Sequence, residues 1–144
     1  MSDAPPIAPK PGGRLIVTAS DPLFTVAVDP SRRHLHFVMN GLWDARTGAA
    51  FGAAAGSAIE KLVAAGAPFG SLRTLVDART AAVMPQHIIA NMQALAQSQG
   101  PASERVAMLL GGMLQKMQFQ RTVHDPNFQI FFDEDAAIEW LFAD

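Results

Sequence analysis

The sequence predicts an α/β domain built on one mixed β-sheet, and two patterns carry that reading. RLIVT, FTVAV and HLHFVMN follow one another near the N-terminus with only turn residues between them. Further along, helical stretches separate the later apolar runs SLRTLVD, RVAMLL and FQIFF. Strands joined by tight turns pair antiparallel, whereas strands separated by a helix pair in parallel through right-handed crossovers. The chain has 144 residues, of which 49% are hydrophobic and 17% charged, the profile of one globular domain.

Residues 1–13, MSDAPPIAPKPGG, form a Pro/Gly-rich tail without the apolar run of a signal peptide, which leaves 14–144 as the folded unit. The first two strands, 14–18 and 24–28, are separated by Ser20, Asp21 and Pro22. Asp29-Pro30-Ser31-Arg32 has type I turn chemistry and folds 34–40 back as a hairpin. In that third strand Leu35, Phe37 and Met39 share one face, and His34, His36 and Asn40 share the other, read as partly wet.

Asp44 or Thr47 caps a helix that stops near Gly66 and buries Phe51, Ala55, Ile59 and Leu62. Beside that stripe stand Gly48, Gly52 and Gly56. Each interior glycine costs a helix about 0.5–1 kcal/mol relative to alanine, so close approach of another backbone is expected there, from this chain or a second copy. The strand 71–77 follows, and then a helix that Pro85 starts and Gly100-Pro101 ends. RVAMLL (105–110) reads as a strand covered on both faces. A helix at 113–121 presents Met113, Leu114 and Met117, FQIFF (128–132) is the last strand, and Asp133, Glu134 and Asp135 open a final helix.

The net charge of -2 and the scattered basic residues give no footprint for a nucleic-acid backbone. With no cysteine, thiol catalysis, disulfides and thiolate metal sites are excluded. No run reaches the roughly eighteen apolar residues of a membrane span. A cytoplasmic protein without cofactor or metal is the resulting expectation.

The order of strands, long helix, a strand ending in LVDAR, RVAMLL, and FQIFFDEDAAIEWL resembles the SpoIIAA-like proteins, STAS-like relatives of anti-sigma-factor antagonists. The residues from Arg105 onward, ending in an acidic turn that leads into Ala137, Trp140 and Leu141, are the most telling part, and the resemblance spans about residues 20 to 144. It implies a single mixed β-sheet of about five or six strands with helices mainly on one face, a fold shared with lipid-carrying Sec14-type domains. In the sigma-regulatory antagonists a serine opening the helix after the LVD-type strand is phosphorylated, which switches partner binding. Between Asp77 and Ile88 this chain has no serine, and Thr80 is the only hydroxyl.

Other candidate chemistry is thin. His34 and His36 have strand spacing for a shared metal but need a third ligand from His87, His124, Asp44 or Asp125. Gly111-Gly112 lacks the remaining residues of either phosphate-binding glycine motif and reads as a strand-to-helix turn. The acids at 133–135 suit a helix N-terminus, and no serine sits in a G-x-S-x-G elbow.

The sequence therefore points to a non-catalytic protein-interaction or regulatory module, a possible homodimer, whose contacts are Asp77, Arg79, Thr80, Met84, Gln86 and His87. Asp77 would sit at a strand end and accept hydrogen bonds from loop amides. The alternative is a carrier of lipid or another apolar small molecule, in a helix–sheet cleft lined by Ile88, Met113, Met117 and Phe119. An enzyme using His124 and Asp125 is the third reading.

Overall fold

The computed structural model describes residues 15–82, 103–122 and 127–143, apart from the side chains of 118–122. Its strands are β1 (Ile16–Asp21), β2 (Phe24–Asp29), β3 (His34–Gly41), β4 (Leu72–Ala81), β5 (Ser103–Leu109) and β6 (Phe128–Phe131). They form one sheet in the order β1-β2-β3-β4-β5-β6. The β1–β2 and β2–β3 pairs are antiparallel, and the β3–β4, β4–β5 and β5–β6 pairs are parallel. The helices among the described residues are α1 (Ala45–Ala64), α2 (Met113–Thr122) and α3 (Glu134–Leu141). The mixed sheet and its division into antiparallel and parallel parts are as the sequence predicts. The helix expected from Pro85 to Gln99 lies outside the described residues, as do His124 and Asp125.

Local chemistry explains the joints. Asp29 accepts hydrogen bonds from Ser31 N at 3.1 Å and Ser31 Oγ at 2.7 Å, and Arg33 closes the β2–β3 turn with a left-handed φ of 54°. Asp44 caps α1 by accepting from Thr47 N at 2.8 Å. Trp43, just before that cap, is buried and donates through Nε1 to Leu23 O at 3.0 Å and Asn40 O at 3.1 Å. The indole thus ties the β1–β2 turn, the end of β3 and the start of α1 together.

α1 covers one face of the sheet. Phe51, Ala58 and Leu62 pack on Phe24, Val26, Leu35, Phe37, Met39 and Leu72. The Phe51 ring centroid lies 5.6 Å from Phe24, 4.9 Å from Phe37 and 5.0 Å from Trp43. Gly48 and Gly56 stand off this buried stripe, and a Cβ at either would meet nothing within 4 Å. Among the described residues of this chain, no other backbone approaches closely at these two positions.

The opposite face carries α3. Ala137 and Leu141 pack with Leu75, Ala107 and Leu109 into a second buried cluster. Fully burying a leucine contributes about 1.5–3 kcal/mol, but an isolated helix of eight residues is far too short to persist alone. Arginines on the sheet supply what is missing. Arg73 donates through Nη1 to Leu141 O at 2.6 Å and Ala143 O at 3.2 Å, while Arg105 Nη1 reaches Trp140 O and Ala143 O, both at 2.7 Å. Trp140 O also accepts from Ala143 N at 3.3 Å, but the helix carries no basic residue in its own last turn, so the two guanidiniums supply the positive charge its C-terminal end favours.

The same cover corrects the reading of His34 and His36 as a partly wet pair. They are 4% and 5% exposed. Phe142, at the end of α3, packs edge-on against His34 with centroids 5.1 Å apart, and the two imidazoles lie 5.4 Å apart. His34 Nδ1 stands 2.9 Å from Arg73 O, so the neutral ring carries its proton there. Among the described residues, no group of three or more His, Asp or Glu side chains is placed to hold a metal.

Burial, reinforced by the nearby positive charge of Arg32, lowers the pKa of His34 below the ordinary 6.5; the Arg73 carbonyl and Asp29 oppose the shift without reversing it. The unfolded chain therefore takes up this proton first as the pH falls. Stability contributed by neutral His34 is complete above about pH 6.5 and is lost as the pH drops below it. Chemical denaturation from pH 7.5 to 5 should show unfolding free energy falling less steeply in His34→Gln than in the wild type.

Candidate functional site at the carboxyl edge of the parallel strands

The sequence ends this strand at Asp77 and puts Arg79 and Thr80 beyond it, yet β4 continues through all three to Ala81. The register explains how. Val38 pairs with Asp77 and Asn40 with Thr80, so Ala78 and Arg79 together oppose Met39 in a β-bulge. The extra residue lets Ala78 enter the α1-side core, at 1% exposure, while Arg79 stays at the surface.

A strand that ends its buried run in two charged residues needs those charges matched. Asp77 Oδ1 accepts from Arg79 N at 3.1 Å and Nε at 2.9 Å, and Oδ2 accepts from Arg79 Nη2 at 2.7 Å. Arg79 Nη2 also reaches Glu134 Oε1, in the first turn of α3, at 3.1 Å. Partial burial pushes the Asp77 carboxyl up, but the hydrogen bonds and charge of Arg79 outweigh it and hold the pKa below the usual 3.8. The bonds from Asp77 in turn raise the pKa of Arg79, so the pair remains ionised through the neutral range. Its contribution to stability is present above about pH 3.8 and fades as the pH falls through the lowered value. Asp77 does accept backbone hydrogen bonding, as the sequence suggested, but from within the strand.

Gln115, which the sequence does not single out, and Gly111, in the expected strand-to-helix turn, complete the edge. Gln115 of α2 is 7% exposed. Its Nε2 donates to Ala78 O at 3.1 Å and Ala81 O at 2.7 Å, and its Oε1 accepts from Gly111 N at 2.8 Å. One amide thus bonds three backbone groups at the bulge and the β5–α2 turn. Gly111 is needed for close approach, because a Cβ there would lie 2.7 Å from Arg79 O. Across the bulge, the Thr80 hydroxyl donates to the Asn40 side-chain carbonyl and lies 3.4 Å from Met39 O.

Of the other residues singled out in the sequence, Met84, Gln86, His87 and Ile88 lie outside the described residues, as does the side chain of Phe119. Met113 and Met117 are 63% and 52% exposed, facing outward from α2. Leu114 on α2 is exposed as well, as are Leu42 and Phe132 at the exits of β3 and β6. The carboxyl edge therefore combines interlocked polar groups with uncovered apolar side chains.

The strand order bears on what this edge can do. Open α/β sheets bind ligands where the order reverses and neighbouring connections leave on opposite faces. Here β3, β4, β5 and β6 are laid down consecutively, with no reversal. Comparison with solved structures matches this arrangement. An uncharacterised protein of the DUF3478 family from Shewanella loihica PV-4, described as having a SpoIIAA-like fold, aligns with 90% of this chain and 94% of its own at a TM-score of 0.54. The fold is SpoIIAA-like. At 19% identity the likeness extends to the fold alone. No family model and no curated protein matches the chain.

Within this SpoIIAA-like sheet, the role of Gln115 had no sequence signature, since a lone glutamine on a helix is usually solvated. Gln115→Ala would leave Ala78 O, Ala81 O and Gly111 N without their partner and should cost about 1–3 kcal/mol in equilibrium unfolding. Gly111→Ala forces β5 and the bulge apart, and a loss of about 1–3 kcal/mol is expected in the same measurement. An unchanged midpoint in either variant would contradict the packing at that edge.

Proposed function

We propose that the chain is a non-catalytic protein-interaction or regulatory module of the STAS-like type, acting in the cytoplasm through the carboxyl edge of its parallel strands. The observation that carries this reading is the division of labour at that edge. Asp77, Arg79, Glu134 and Gln115 are engaged with one another or with backbone, whereas Leu42, Met113, Leu114, Met117 and Phe132 stand uncovered. A general base must be available to accept a proton, and Asp77 is held ionised by a bidentate arginine. Exposed apolar side chains rimmed by polar groups are instead the usual make-up of a contact surface.

In this proposal Asp77 positions Arg79, while Arg79 and Thr80 meet the partner together with Met84, Gln86 and His87 in the segment that follows β4. In the sigma-regulatory antagonists the switching serine opens the helix after this strand, whereas Thr80 lies within β4 itself. The outward direction of Met113 and Met117 favours surface contact over the alternative, an apolar ligand in a cleft lined by Ile88, Met113, Met117 and Phe119. No helix among the described residues is long and apolar enough to cross a membrane.

The test is affinity capture from native lysate with proteins and small molecules both identified. The wild type should retain a protein at defined stoichiometry, and Arg79→Ala and Met84→Ala should each reduce it about tenfold while circular dichroism stays unchanged. Retention of a lipid alone, or of the same protein undiminished by both variants, would overturn the proposal.

A further inference from the structure

His34 lies 4% exposed beneath Phe142, the residue that closes α3, and the groups around its ring suit a neutral imidazole. Nδ1 donates to Arg73 O at 2.9 Å. The Phe142 ring stands 5.1 Å away and has the Arg32 guanidinium carbon 3.8 Å from its centroid. From β4, Arg73 Nη1 reaches Leu141 O and Ala143 O, the carbonyls on either side of Phe142. His36 of the same strand is 5.4 Å distant. Among the described residues, the charges that act on the His34 ring are those of Arg32, which disfavours its protonation, and Asp29, opposite on β2, which favours it. Asp29 Oδ1 already accepts from Ser31 N and Oγ. A proton on His34 therefore adds positive charge beside Arg32, a second imidazole and an aromatic ring. Buried charge of this kind is costly without a dedicated partner.

We infer that the Phe142 contact is an acid-released latch: a proton on His34 frees Phe142 and α3 from the sheet while the core beneath α1 stays folded. The titrating group is His34 rather than His36, because a charge on His36 has the Asp77 carboxylate to answer it. Two observations make the release local. α3 packs with Leu75, Ala107 and Leu109, a cluster separate from the α1-side core. Its eight residues are too few to persist as a helix alone, and displacing Phe142 also pulls on the two carbonyls that Arg73 holds. Local opening of this kind uncovers both histidines and the Leu75 cluster. Because burial, with Arg32, keeps the closed ring below its ordinary pKa of 6.5, opening takes up a proton. The opening constant therefore rises with acid, by up to about tenfold per pH unit below 6.5, until the closed ring itself titrates.

Amide hydrogen exchange of the full chain at pH 7.5, 6.5 and 5.5, expressed as protection factors, tests the inference. In the wild type the factors of amides 137–142 should fall about tenfold from pH 7.5 to 5.5, and should lie about tenfold or more below those of β2 and β3 throughout. His34→Gln, an uncharged donor at every pH, should abolish the fall, and His36→Gln should keep it. Unchanged circular dichroism shows that each variant is folded. Protection of α3 that does not change with pH, or that falls as much in folded His34→Gln, would overturn the inference. So would α3 amides as well protected as those of β2 and β3, because the helix would then open only with the whole chain. Where His34→Gln does not fold, NMR titration of the wild-type ring decides. A His34 pKa below 6.5, together with the fall in α3 protection, supports the latch, and a value at or above 6.5 overturns it.

Discussion

The structure depends on arginines from one face of the sheet holding a helix too short to stand alone. Arg73 and Arg105 occupy its last carbonyls, and Arg79 reaches Glu134 in its first turn. A charge-assisted bond of this kind contributes about 1.5–3 kcal/mol where it is shielded from water, and less at the exposed Arg79 end. With α3 fixed at both ends, the second face of the sheet is closed over Leu75, Ala107 and Leu109. The histidines of β3 are buried nearby, with Phe142 packed on His34. Release of the clamp would expose that cluster and remove the constraint on Arg79 that keeps Asp77 engaged.

This arrangement accounts for the character of the carboxyl edge. The bulge in β4 sends Ala78 into one core and Arg79 to the surface, and Gln115 bonds the carbonyls of Ala78 and Ala81. The polar side chains there are consumed in holding backbone and helix in place. Among the described residues, Leu42, Met113, Leu114, Met117 and Phe132 stand uncovered at the same edge. That the same fold serves several purposes is a general rule, so the functional reading rests on these residues and not on the likeness to a known fold.

Much of the fold was legible in the sequence because it is written in local patterns. Period-two runs separated by Asp-Pro or Ser-Asp-Pro gave the antiparallel part, and the switch to helical spacing gave the parallel part. Asp44 and Asp133 were readable as helix starts because a cap is chosen by neighbours in sequence. The misreadings concern partners distant in the chain. The burial of His34 follows from Phe142, 108 positions away by subtraction of residue numbers, and the continuation of β4 past Asp77 follows from a register shift against β3. Alternation alone placed the histidines correctly on one face but could not say that a helix would cover it. Nothing in the sequence singles out Arg73 and Arg105, since no local rule links a strand arginine to the end of a helix.

Hydrogen exchange measured amide by amide across α3 addresses the clamp most directly. In Arg73→Met combined with Arg105→Met, amides of 136–143 should lose protection well ahead of those in β2 and β3, together with a red shift in Trp140 emission. Protection of α3 that stays level with the central strands in this variant would show that apolar packing alone secures the helix, and would contradict the account.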